Sequence, residues 1–99
     1  MSNIESIRKN SAELARILKV LSHPKRLMLM CFLIEDEKNV SDIMAYTELS
    51  QSQTSQYLGD LEGRNLLSVR QAGKNRFYKI KEPKIVSLIE SFHIIFCQD

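Results

Sequence analysis

The run from Ser50 to Tyr57 has side chains that suit hydrogen bonding to nucleobases. Apart from Thr54, which is assigned below to the core side of the helix, these residues form a face of uncharged polar side chains of modest length. A helix face that is only solvated usually carries Glu and Lys. Serine and glutamine both donate and accept hydrogen bonds, as the base edges of the major groove do. The run predicts a DNA-reading surface with the candidate contacts Gln51, Ser52, Gln53, Ser55, Gln56 and Tyr57. The alternative is a surface helix in which Gln53 only caps the backbone.

A second candidate contact surface is a basic stretch further along the chain. Positions 64–81 carry six Lys or Arg and no Asp or Glu, although the formal net charge of the chain is only +2. Local positive charge is expected where one face of a protein meets phosphates. Arg70, Lys74 and Arg76 are therefore candidate phosphate contacts. The alternative is a solvated strand pair whose basic residues protect a sheet edge.

The two cysteines, Cys31 and Cys97, are the candidate nucleophiles. A free cytosolic cysteine is often only a small buried hydrophobe. Cys31 lies in an apolar segment, where desolvation should raise the pKa of its thiol. Cys97 lies near a chain end and should be more accessible; a helix C-terminus disfavours its thiolate, but His93 four residues earlier offsets this when protonated. Residue types alone leave inert and reactive thiols both open.

Enzymatic chemistry finds no support in the sequence. It contains no glycine-rich phosphate loop and no suggested Ser/His/Asp grouping, so we expect no catalytic site and no cofactor. His93 with Glu90 falls short of a tetrahedral zinc set, and we expect no bound metal. His23 is expected to be a cap or a packing residue. The polar N-terminus and the lack of an apolar run of about 18 residues predict a cytoplasmic chain without a membrane helix.

The helices and strands that position these residues are predicted from the spacing of apolar residues and from residues that interrupt regular structure. The 99-residue chain is the size of one domain. A short helix, a turn and a polar-faced helix form a helix-turn-helix, followed by a β-hairpin with a basic tip. Ser50 and Gln53 form a capping box at the start of the polar-faced helix, whose core side is Thr54, Leu58 and Leu61. The predicted elements are a first helix to Leu21, a buried helix from Pro24 to about Glu35, a polar loop 35–39, helices Val40–Thr47 and Gln51–Arg64, strands Leu66–Gln71 and Arg76–Lys81 joined by a four-residue turn, and a last helix from Pro83 to about Cys97.

The two terminal helices predict a homodimer. Apolar residues of the last helix cover more than one face, and a chain this short can bury only one of them. Positions 1–21 and 83–97 are therefore expected to form the dimer interface, with a helix-turn-helix at 40–64 and a wing at 66–81. The alternative is a terminal helix sunk deep in a single core.

Three segments resemble the ArsR/SmtB family of repressors: Leu18–Leu27, Leu49–Leu61 and Arg76–Ile80. They occur in the family's order, and the resemblance covers nearly the whole chain. It implies a mainly α, dimeric winged helix that binds a palindromic double-stranded operator. The Gln51 helix would lie in the major groove, and many members block transcription until an inducer releases them. Tyr57 departs from the histidine of many relatives, but its phenol is expected to be able to reach a phosphate.

The same resemblance suggests what the protein senses. Cys31 and Cys97 occupy positions similar to those of a dithiol subgroup that responds to reactive sulfur species or oxidants through a disulfide or polysulfide bridge. On this interpretation Cys97 reacts first and Cys31 resolves. Two alternatives stay open: a metal-responsive repressor, although helix Val40–Thr47 lacks the Cys-x-Cys pair of arsenic-type sensors, and a winged helix without thiol sensing that acts by antisilencing or protein docking.

Overall fold

The computed structural model describes residues 3–97, so positions 1 and 2 of the first predicted dimerisation element lie outside the described residues. Within that range the chain forms five helices and one three-stranded antiparallel sheet with the strand order β1-β3-β2. None of these helices is long and apolar enough to span a bilayer. The elements are α1 (Ile4–Leu21), α2 (Pro24–Leu33), β1 (Lys38–Asn39), α3 (Val40–Thr47), α4 (Gln51–Gly63), β2 (Leu67–Ala72), β3 (Asn75–Ile80) and α5 (Pro83–Phe96).

Local capping sets where the central helices begin. The His23 ring is the N-cap of α2, with Pro24 in the first helical turn. Ser50 and Gln53 form the predicted capping box of α4. Asn39 and Asp42 form a second box at α3, which the sequence prediction did not include. α3 ends at Thr47, and the next residue, Glu48, turns the chain toward α4 with a φ of 61°.

The core lies where α2, α4, α5 and the sheet meet. The predicted core side of α4 is buried as expected. The helix predicted to be buried, α2, is buried on one side only: Leu29, Met30 and Leu33 are buried, whereas the opposite face borders an open groove. α2 also ends at Leu33, two residues before the predicted end. The fully buried apolar side chains are Leu29, Met30, Ile43, Leu58, Leu61, Ile85 and Ile89.

The sheet differs from the predicted hairpin in two ways. The predicted polar loop before α3 contains β1, whose Lys38 and Asn39 pair with β3. The predicted four-residue turn is a two-residue turn, because Ala72 and Asn75 already pair in the ladder. Gly73 has a φ of 62°, which glycine adopts without steric cost. These differences arise because strand register depends on pairing partners that local sequence does not specify.

The ends of the molecule expose apolar side chains. α5 buries Ile85 and Ile89 against the core, yet Phe96 in its last turn is 81% exposed. In α1 only Val20 and Leu21 are buried. The exposed large apolar residues of the two helices are Ile4, Ile7, Leu14, Leu18, Ile94, Ile95 and Phe96. One described chain therefore leaves both terminal helices only partly covered.

Candidate nucleic-acid interface and thiol groove

The outer face of α4 is a row of exposed hydrogen-bonding side chains. Thr54, Leu58 and Leu61 hold the inner face of the helix in the core. Because these anchors are spaced four and three residues apart, they define one side of the helix, and the opposite side faces outward. The exposed polar residues are Gln51, Ser52, Gln53, Ser55 and Gln56. We call this row the α4 polar face.

Gln53 differs from its neighbours in the α4 polar face. Its Oε1 accepts hydrogen bonds from the backbone N–H and the hydroxyl of Ser50, each at 3.2 Å. Its own backbone N–H donates to Ser50 Oγ at 3.1 Å. The capping alternative therefore describes the geometry of Gln53. By contrast, Gln51 and Gln56 make no side-chain hydrogen bond within residues 3–97, so both keep their full capacity for a ligand.

Tyr57 is half-buried and contacts the start of α2. Its hydroxyl oxygen lies 3.3 Å from His23 Nε2. The two rings are tilted by 51°, with centroids 5.4 Å apart. His23 thus combines the two roles that the sequence suggested, capping and packing, and it joins α2 to the polar-faced helix.

The wing residue Arg70 is held by an acidic partner. Its guanidinium donates to Glu37 at 2.5 and 3.2 Å, and its central carbon lies 4.6 Å from the centroid of the Phe77 ring. The hydrogen bond from Arg70 lowers the pKa of the Glu37 carboxyl, although desolvation opposes it, and the pKa of Arg70 is raised in return. Any phosphate that approaches Arg70 would therefore compete with the Glu37 carboxylate for its guanidinium.

Other basic residues of positions 64–81 also have acidic partners. Arg64 pairs with Asp60 at 3.1 Å, and Arg76 approaches Glu62 at 3.9 Å. Both acids belong to α4, just before the basic stretch, so a count of charges along the stretch missed them. Lys74, in the turn at the wing tip, is exposed and has no ion pair among the described residues. The surface that carries positive charge without an acidic partner is therefore smaller than the sequence indicated.

Both cysteines lie in one open groove between α2 and α5, which we call the thiol groove. It has a volume of about 850 Å³. Its mouth includes the rings of Phe32 and Tyr46, stacked at 4.3 Å. The complete lining is Leu27, Met28, Cys31, Phe32, Ile34, Glu35, Tyr46, Glu90, His93, Ile94 and Cys97.

The two thiols differ in environment. Both are free; Cys31 is half-buried and Cys97 is exposed. Burial raises the pKa of the Cys31 thiol, and the nearby Cys97 raises it further. The predicted desolvation of Cys31 and the greater accessibility of Cys97 are both found. His93 lines the same groove, one turn before Cys97.

The described residues provide no set of side chains that could bind a metal ion. Across residues 3–97, no three His, Cys, Asp or Glu side chains converge to hold a metal ion. Glu90 and His93 line the thiol groove together.

Sequence reasoning missed two further contacts. The Asn39/Asp42 box has the local spacing of a helix start and was detectable from the sequence. The Glu37–Arg70 pair joins residues 33 positions apart and leaves no local signal.

Comparisons with known proteins agree on one family. Residues 23–69 match the family described as "Bacterial regulatory protein, arsR family". The chain is 32% identical to the transcriptional activator HlyU of Vibrio cholerae over 97% of its length and 89% of the relative's.

Solved structures share the fold. The transcriptional repressor BigR from Xylella fastidiosa has a TM-score of 0.91 and 36% identity, covering 99% of this chain and 100% of BigR. A homodimeric winged helix-turn-helix DNA-binding domain from Mycobacterium bovis has a TM-score of 0.74 over 96% of this chain and 86% of that domain, at 22% identity. The predicted winged helix-turn-helix architecture is confirmed.

Proposed function

This chain belongs to the arsR family of bacterial regulatory proteins, and we propose that it is a homodimeric DNA-binding regulator controlled by thiol chemistry. That it is a transcriptional regulator and not an enzyme follows from its relatives. The dimer, the DNA contacts and the thiol response are our proposal. The observation that carries it is the α4 polar face beside an uncompensated basic wing tip.

The α4 polar face reads base edges in the major groove. Gln51, Ser52 and Gln56 are exposed in the first half of the helix, where glutamine pairs with adenine and serine with several bases. The free N–H groups of the first helical turn also favour a nearby phosphate. The remaining contacts are Gln53 and Ser55 on the same face, Tyr57 to a phosphate, and Arg70, Lys74 and Arg76 of the wing to the backbone.

The terminal helices pair two copies of the chain. The apolar residues of α1 and α5 that one chain leaves exposed form the surface that a second copy would cover. A twofold axis then presents two α4 helices to half-sites about 34–36 Å apart, which explains a palindromic operator. Sedimentation equilibrium should give a dimer. Leu14→Glu should shift it toward monomer, whereas Lys9→Glu, an exposed change on the same helix, should not.

The thiol groove lies between the helix-turn-helix and the proposed dimer surface, which supports a role in controlling DNA binding. One of its walls is α2, which packs on α3 of the helix-turn-helix, and the other is α5, whose exposed end belongs to the proposed dimer surface. A covalent link between Cys31 and Cys97 would therefore change how the two α4 helices are presented. We expect the reduced protein to bind DNA and the bridged protein to release it.

The bridge forms in two balanced steps with a hydroperoxide. The Cys97 thiolate attacks the terminal peroxide oxygen, the O–O bond breaks, and a sulfenic acid and an alkoxide result; the alkoxide takes up a proton. Cys31 then attacks the Cys97 sulfur, and water leaves. With an organic polysulfide R–S–S–S–R, attack of Cys97 on an outer sulfur followed by attack of Cys31 on the Cys97 sulfur gives the same disulfide, and the donor departs as a hydropersulfide and a thiol. Attack of both cysteines in turn on the central sulfur gives a trisulfide bridge instead, and the donor departs as two thiols.

The response is tested by measuring DNA binding and intact mass together after each oxidant. A mass loss of two hydrogens, or a gain of whole sulfur atoms on top of that loss, should accompany release from DNA. The double variant Cys31→Ser/Cys97→Ser should bind DNA and ignore both reagents. Release of this double variant by the same reagents would refute thiol sensing and leave DNA binding intact.

A further inference from the structure

The imidazole of His23 has hydrogen-bonding contacts at both nitrogens. Nδ1 lies 3.2 Å from the backbone nitrogen of Lys25, and Nε2 lies 3.3 Å from the Tyr57 hydroxyl. The backbone N–H of Lys25 can only donate. Nδ1 must therefore accept, which leaves it without a proton.

This cap determines the direction of the second hydrogen bond. A neutral imidazole that accepts at Nδ1 carries its proton on Nε2. Nε2–H then donates to the Tyr57 oxygen, so the hydroxyl proton of Tyr57 is not used in this contact. Within residues 3–97, that hydroxyl has no other hydrogen-bond partner.

We propose that His23 is a positioning residue for DNA binding, which orients the Tyr57 hydroxyl so that its proton points toward a DNA phosphate. Phosphate oxygens only accept hydrogen bonds, so a hydroxyl fixed as a donor matches them. The opposite tautomer would use that proton on His23 and turn oxygen lone pairs toward the phosphate. The inference rests on the proposed contact of Tyr57 with DNA.

The location of Tyr57 supports this role. It follows directly after Gln56 of the α4 polar face and is half-buried rather than freely solvated. His23 is half-buried as well, so the pair has a restricted set of orientations. Pre-ordering a donor in the free protein reduces the entropy lost when it meets its partner.

The tautomer is tested without DNA. A long-range proton–nitrogen NMR spectrum of the full chain should show His23 protonated at Nε2 and bare at Nδ1. A resonance pattern of the Nδ1–H tautomer would overturn the proposal. This measurement uses the unmodified protein and does not depend on whether any variant folds.

The functional test is a double-mutant cycle in DNA affinity. The probe is a duplex selected from a random-sequence pool by the wild-type protein. Tyr57→Phe should weaken binding about tenfold for a dimer that loses two hydroxyl contacts. His23→Asn keeps a good N-cap but is too short to reach Tyr57, and we expect about a threefold loss.

The coupling separates positioning from structure. When Tyr57→Phe is already present, adding His23→Asn should cost nothing, and neither change should alter the salt dependence, because an uncharged hydroxyl releases no counterion. Tyr46→Phe, which removes a hydroxyl from α3 at the thiol groove, is the matched control. Equal losses from His23→Asn with and without Tyr57→Phe would overturn the inference alone. A Tyr57→Phe protein with wild-type affinity would instead refute the proposed contact of Tyr57.

Discussion

Lys74→Ala and Gln56→Ala should separate the two kinds of DNA contact. Lys74 lies at the wing tip, exposed and without an ion pair in the part of the chain that the structure describes. Gln56 lies on the α4 polar face with its amide uncommitted. A cation that neutralises a phosphate releases counterions from any sequence, whereas an amide on a base edge distinguishes sequences.

The size of each effect follows from this geometry. Each phosphate contact contributes about 0.9 to the slope of log affinity against log salt, so removing Lys74 from both subunits lowers the slope by about 1.8. Between about 50 and 200 mM salt, a slope lower by about 1.8 makes the fall in affinity about twelvefold smaller. Gln56→Ala should leave the slope unchanged and cost about 1–3 kcal/mol of discrimination per base contact.

Fluorescence anisotropy with a selected duplex and a scrambled duplex, each over a salt series, measures both quantities. Lys84→Ala serves as the control, because this lysine is exposed at the start of α5, outside the wing and the α4 polar face. Lys74→Ala should weaken both duplexes alike, and Gln56→Ala should narrow the gap between them. An unchanged slope in Lys74→Ala, or equal slope losses in both variants, would refute the assignment. A wild-type affinity that ignores salt would favour a protein-docking role.

Three further outcomes follow from the observed contacts. Gln53→Ala removes half of a capping box and should cost about 1 kcal/mol of unfolding free energy, measured by thermal unfolding. Because Ser50 already holds the Gln53 amide oxygen, the same variant should change base preference in duplex selection less than Gln56→Ala does. The pKa of Glu37 is lowered, so its pair with Arg70 persists at neutral pH and is lost only as pH falls through that lowered value. Glu37→Gln should therefore release Arg70 at neutral pH and make DNA affinity fall more steeply with added salt. The pKa of the Cys31 thiol is raised, mainly by burial, so that at a fixed pH less of Cys31 is thiolate. Alkylation of Cys31 in Cys97→Ser should therefore be slower than alkylation of Cys97 in Cys31→Ser, and its rate should go on increasing up to a higher pH. Faster labelling of Cys31 would reverse the proposed order of reaction.

The helices and their starts were predictable because their signals are local. The Ser50/Gln53 box and the His-Pro start of α2 each depend on residues within one turn. The Thr54, Leu58 and Leu61 spacing likewise defined the buried side of α4, and so its exposed polar face.

The features that sequence reasoning missed depend on distant partners. β1 is two residues long and exists only because β3 offers an open edge. The pairs that Arg70 and Arg76 form with Glu37 and Glu62 join residues that the fold alone brings together. Neither strand pairing nor charge compensation across such separations leaves a periodic pattern in the chain.

Asn39 performs two structural roles at once. As part of β1 it pairs with Phe77 of the wing, and its side chain caps α3 at 2.8 Å. Asn39 therefore links the wing directly to the first helix of the helix-turn-helix. If the wing follows the backbone while α4 occupies the major groove, the span between them is fixed by the protein. Operators whose groove widths already match that span would then bind at a lower deformation cost, so that sequence is selected partly at base pairs no side chain touches.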